Sequence, residues 1–179
     1  MDGVATPVLL LDQKFSPHDV ALRPSQARAL ARADIVLWIG PALERFMTGM
    51  IANASPEQLI LTALDLPGLE KYPLRTRTDW SNDQDDDPHG VTDPHIWLSI
   101  RNARVIAAAL TARLVAIDPA EANIYARNLA SLDNDLAVLN ADIQDIIGLH
   151  RDTPFVLLHD SFQYLEKAYG LHPVGALTT

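Results

Sequence analysis

Three of the six histidines stand in settings where imidazole chemistry is available. His18 and His159 each begin a His-Asp pair, just after a short apolar run and just before a helix-forming stretch. His95 closes an aspartate-rich segment and precedes Ile96-Trp97-Leu98-Ser99. Neutral imidazoles bind Zn²⁺ at about 2.0–2.1 Å, and three of them leave a fourth position for water or a carboxylate. Asp19 and Asp160 are natural partners for the second ring nitrogen of a ligating histidine, a contact that fixes tautomer and ring orientation. The three histidines lie too far apart in sequence for a local zinc-finger pattern, so spacing alone does not join them. The same residues also read as structural histidines at strand ends, each followed by an aspartate that caps a helix. His150 falls near the C-terminus of a long helix, where partial positive charge is favourable, and His172 before Pro173 reads as a loop residue. His89, among aspartates, can take up a cation loosely or simply sit in a solvated loop.

Other chemistries find no residues to carry them. There are no cysteines, which removes disulfides, thiolate metal sites and cysteine nucleophiles together. No Ser nucleophile elbow, Gly-rich phosphate loop or HExxH pattern is present, and the adjacency of Ser161 to His159-Asp160 does not make a triad. The formal net charge of −9 repels a phosphate backbone, and no basic cluster with interleaved aromatics offsets it, so nucleic acid is excluded as a partner. Apolar residues make up 48% and charged residues 21%, a globular composition. No apolar run approaches the roughly 18–20 residues of a membrane span. The opening Met1-Asp2-Gly3-Val4-Ala5-Thr6-Pro7 lacks the basic start and apolar core of a secretory signal. Either the protein stays inside the cell or the chain lacks its original beginning.

The elements that would position the histidines follow from periodicity and punctuation. Residues 8–11 form a short apolar run and read as a buried strand. Pro24 suits a first helical turn, with Ala27, Leu30 and Ala31 on one face through Arg32. Residues 35–39 are a continuous β-favouring run ended by Gly40, a buried strand. Pro41 opens a helix carrying Leu43, Phe46, Met47 and Met50, and residues 59–61 form a third strand. Strand and helix in alternation predict a parallel sheet with helical crossovers. From 66 to 94 the chain is polar and has four prolines, and between Thr78 and His95 it holds six aspartates and no Lys or Arg. Ser99 caps a helix to about Ile117. Asp118-Pro119-Ala120-Glu121 is a strong helix start, and Leu129, Leu132, Leu136, Leu139, Ile143 and Ile146 step by threes and fours into one stripe. From Pro119 to about Leu149 this helix is on the order of 45 Å long. A strand at 155–158 then delivers His159, a helix runs from about Ser161 to Tyr169 and closes with Gly170, and residues 173–179 approach a further strand.

Four ordered segments resemble one family, the zinc-type, ZnuA-like substrate-binding proteins of ABC importers. His18-Asp19-x-x-Leu22-Arg23-Pro24-Ser25 resembles its first ligand segment. Ala33-Asp34-Ile35-Val36-Leu37-Trp38-Ile39-Gly40, followed by Glu44 and Phe46, is similar to its next strand and helix. Asp93-Pro94-His95-Ile96-Trp97-Leu98-Ser99 resembles the second ligand motif, and Leu158-His159-Asp160-Ser161-Phe162-Gln163-Tyr164-Leu165 the third.

The resemblance implies a two-lobed α/β fold with parallel sheets and a long linking helix, incomplete here at both ends. It implies an N-terminal metal-binding lobe over 1–117, a linking helix over 118–150, and the start of a C-terminal lobe over 151–179. His18 and His95 would come from the first lobe and His159 from the second, all as zinc ligands. The implied function is high-affinity zinc capture outside the cytoplasmic membrane, by a periplasmic monomer that delivers the ion to a permease and its ATPase and is not an enzyme. His159 stands where manganese-type relatives have Glu, which favours zinc. Pro17 stands where some zinc-type members have Glu before the first histidine. Two other readings stay open: an HD-type metal-dependent phosphohydrolase, whose His-Asp doublet sits on a helix, and a metal-binding adhesin or buffer without a transporter.

Overall fold

The structure, a computed structural model, describes residues 1–11, 21–75 and 91–178. His18 and Asp19, and the aspartates from Asp79 to Asp87, lie outside those residues.

Helix α1 (Pro24–Arg32) starts where Pro24 fixes φ at its first position. The Gln26 side chain accepts a hydrogen bond from the Arg23 backbone N–H at 2.7 Å and donates to the Leu10 carbonyl at 2.5 Å. Strand β1 (Ile35–Trp38) follows and pairs in parallel with β2 (Leu59–Thr62), in the register Ile35↔Leu59 to Trp38↔Thr62. The Trp38 indole N–H donates to Thr62 Oγ1 across that pair at 2.8 Å. The crossover between the strands contains a 3₁₀ turn (Arg45–Met47) and the short helix α2 (Thr48–Ala52).

A second parallel pair joins β3 (Val156–His159) to β4 (Gly175–Thr178), with helix α5 (Gln163–Tyr169) as the crossover. Gly170 ends α5 in the left-handed region at φ +66°, which a residue with a Cβ adopts only under strain. In chain order, α3 (Ile100–Ile117) and α4 (Ala122–Gly148) come after the first pair and before the second. The 27 residues of α4 span about 40 Å. Mixed helix and strand, parallel pairing and a long helix are the architecture expected from the sequence.

The chain divides into two compact units. The first comprises Met1–Pro67 and Ile106–Ala130, and its apolar core is built on Leu30, Val36, Trp38 and Met47. The second comprises Gly68–Val105 and Ser131–Thr179. In it the Asn102 side chain, fully buried, accepts from the Glu70 N–H at 2.8 Å and donates to the Glu70 carbonyl at 2.9 Å. Ser99 caps α3 as expected, its hydroxyl accepting from the Asn102 N–H at 3.3 Å.

Several local expectations are corrected. Residues 8–11 form no strand, and Val8 and Leu9 are exposed; an apolar run makes a strand only where a partner edge accepts its hydrogen bonds. Pro41 opens a turn rather than a helix, because the Glu44 carboxylate folds back to accept from the Ile39 and Gly40 N–H groups at 3.0–3.2 Å. Burial raises that carboxyl's pKa, and the backbone donors oppose the shift. Asp118 makes no side-chain cap; it accepts from the Tyr125 hydroxyl at 3.4 Å, and a 3₁₀ turn (Pro119–Glu121) precedes α4. Leu37 of β1 is exposed, so this strand is buried on one face only. On α4, Leu129, Leu136 and Ile143 are half-buried while Leu132, Leu139 and Ile146 are exposed. Periodicity gives a stripe its direction and leaves open what covers it.

Candidate metal centre

Strand β3 carries His159 to the carboxyl end of the β3–β4 pair, beside Thr178, which is where ligands gather in parallel sheets. The chain turns there: the Asp160 N–H donates to the Thr178 carbonyl and the Ser161 N–H to the His159 carbonyl, both at 3.0 Å. Two residues later α5 begins.

His95 arrives by a different route. Residues 72–74 and 91–93 form a short antiparallel stem: Pro73 bridges to Thr92, the Leu74 N–H donates to the Val91 carbonyl at 2.7 Å, and the Asp93 N–H donates to the Tyr72 carbonyl at 2.9 Å. His95 then precedes a 3₁₀ turn (Ile96–Leu98) and is buried.

The two rings meet within the second unit, edge to face, with centroids 5.6 Å apart and planes at 79°. Two imidazoles on one tetrahedral zinc have ring centres roughly 5 Å apart, given Zn–N bonds of about 2.0–2.1 Å. The Trp97 ring lies 5.4 Å from that of His95. Among the described residues, no group of three or more His, Asp or Glu side chains is placed to hold a metal ion. His18 is outside those residues.

Asp93 is the residue that sequence reading missed. Its Oδ1 accepts from the His95 backbone N–H at 2.9 Å and stands 2.8 Å from His95 Nδ1. The bond to the backbone two residues on is an Asx turn, so an Asp-x-His spacing was the available signal. Its backbone carbonyl accepts from the Tyr164 hydroxyl at 2.9 Å, and the Gln163 side-chain amide, oriented to satisfy both acceptors, donates to Asp93 Oδ2 and to the Pro73 carbonyl at 3.1 Å each. The Tyr164 hydroxyl also accepts from the Tyr72 N–H at 3.3 Å. Burial holds that phenol well above the ordinary tyrosine range.

Asp160, expected to orient His159, also faces a cation. Arg75 Nη1 lies 3.6 Å from Asp160 Oδ1, and its Nη2 forms a hydrogen-bonded ion pair with Glu166. Both carboxyls are buried, and each keeps one oxygen without a hydrogen-bond partner. Burial raises the pKa of both, with Arg75 pulling the other way.

The whole of the chain, residues 1–179, matches the ZnuA family model, described as zinc-uptake complex component A, periplasmic. The chain belongs to that family. It is 29% identical over 206 residues to the high-affinity zinc uptake system protein ZnuA of Paracoccus denitrificans, covering 99% of this chain and 61% of that one. It is 30% identical over 194 residues to the protein of the same name from Yersinia pestis, covering 99% and 60%. The chain thus spans about three-fifths of the length of these relatives. The fold is that of a zinc-bound ZnuA deletion mutant lacking residues 138–173 of its own chain, at a TM-score of 0.79 and 23% identity, over 95% of this chain and 60% of that one. Among the described residues, no helix is long and apolar enough to cross a membrane.

Proposed function

We propose that this family member captures Zn²⁺ through His18, His95 and His159 and delivers it to the permease and ATPase of an ABC importer. It does so as a monomeric periplasmic binding protein rather than as a catalyst. Zinc is the cargo. In this reading 1–117 and 151–179 bring ligands to one ion and 118–150 links them. The supporting observation is the edge-to-face His95–His159 pair, drawn from distant segments of a chain whose family is named for zinc uptake. An imidazole donor set favours Zn²⁺ over Mn²⁺, which prefers oxygen-rich sites. The phosphohydrolase reading loses its footing at the described doublet, because His159 ends a strand rather than sitting on a helix.

The test is calorimetric titration of zinc into the wild-type chain and into His18→Ala, His95→Ala and His159→Ala. One tight site that disappears in each variant is expected. Tight binding that persists after both His95→Ala and His159→Ala would overturn the assignment.

A further inference from the structure

We propose that Asp93 is the positioning residue of His95, and that α5, the helix that follows His159, holds Asp93 in place. Each ligand segment thereby helps to orient the other. This inference rests on the zinc-capture reading for its functional consequence.

Asp93 is only 2% exposed, and each of its polar groups has a hydrogen-bond partner. Oδ1 receives the His95 backbone N–H and faces Nδ1; Oδ2 receives the Gln163 amide; the backbone carbonyl receives the Tyr164 hydroxyl; the backbone N–H donates to Tyr72. With the carboxylate oxygen as acceptor, the contact at 2.8 Å favours the neutral tautomer that carries its proton on Nδ1 and its lone pair on Nε2. Nε2 is thus the atom through which His95 coordinates. A carboxylate on the far nitrogen also makes the ring a better donor.

Gln163 and Tyr164 open α5, four and five residues beyond His159. They act on Asp93 from the opposite end of the sequence, and the Tyr164 ring packs at a 43° tilt against Tyr72 in the other leg of the stem, with centroids 4.9 Å apart. The turn that delivers His159 therefore also starts the helix that fixes the plane of the His95 ring. The pair is set before any ion arrives, which lowers the ordering cost of binding.

The experiment is ¹⁵N NMR of the histidine rings in the metal-free full chain, paired with zinc affinity by competition titration. Wild type is expected to show His95 protonated at Nδ1. Asp93→Ala should move the ring toward the Nε2–H tautomer and weaken zinc binding by about 10- to 100-fold. Asp93→Asn, whose side-chain oxygen still accepts, should keep the tautomer and lose less. Tyr164→Phe, which keeps the ring packing, should lose a few-fold and covers the case in which Asp93→Ala does not fold. Finding His95 protonated at Nε2 in wild type, or finding tautomer and affinity unmoved in the variants, would overturn the proposal even if zinc binds tightly. The expected tautomer pattern in a wild-type chain that takes up no zinc would instead sink the zinc reading while the positioning stands.

Discussion

Around β1 and β2 the buried side chains include Leu30, Val36, Trp38, Met47 and Leu61; in the second unit, with β3 and β4, Asp93, His95, Asp160, Gln163 and Glu166 are buried as well as the apolar Ile96 and Tyr164. The first set stabilises by area, at roughly 1.5–3 kcal/mol for each large apolar side chain removed from water, and such burial has no preferred direction. The second set gains little from each bond, about 0.5–1.5 kcal/mol net, but every bond has a direction. Its sheet also leaves Val156 56% and Leu158 75% exposed, so apolar burial there is incomplete. The lesson is a division of labour: the first unit is organised for cohesion, and the second for aiming side chains, at the cost of burying charge.

Trp38→Ala should have the largest effect. It removes a 5% exposed indole and its bond to Thr62, costing about 3–5 kcal/mol. Denaturant unfolding measures the loss, and a change below 1 kcal/mol would erase the contrast. Arg75→Met follows. It leaves Asp160 and Glu166 buried without their shared cation, and breaking buried pairs costs about 3–5 kcal/mol. The low end is expected because the Arg75 side chain keeps 15% exposure. A neutral result would mean the polar cluster is not under electrostatic load.

The third effect is smaller and has a sign. Burial raises the Glu166 pKa from 4.5, so the folded chain holds that proton more tightly than the unfolded one. The stabilisation is fully present below pH 4.5 and is lost as pH rises through the folded value. Glu166→Gln should flatten this part of the stability–pH curve; an unchanged slope would count against it. Smallest of all, Leu158→Thr on the exposed face of β3 should stay within about 0.5 kcal/mol in thermal or denaturant unfolding. A large loss would show that this face is covered in solution.

Much of the scaffold was legible because its signals are local. Pro24 and a helical face located α1, an apolar run ended by Gly40 located β1, Ser99 capped α3, and Gly170 closed α5. Errors arose where a side chain had a choice of partners. Glu44 turned back onto the backbone just past β1 instead of leaving Pro41 to start a helix, Asp118 met Tyr125 rather than the backbone it was expected to cap, and residues 8–11 pair with neither β1 nor β2.

The site divides along the same line. The sequence by itself determined which donor types are on offer: imidazoles and carboxylates, no thiolates, and the His-Asp doublets and Asp-Pro-His motif on which the resemblance was read. These are properties of residue identity, and no folding is needed to read them. Only the tertiary structure decided which aspartate serves which group. Asp160 follows His159 in the chain yet faces Arg75, and Asp93 is held by Tyr164, 71 residues away. A hydrogen bond forms at about 2.7–3.2 Å with the donor aimed at the acceptor, and sequence adjacency sets neither the distance nor the aim.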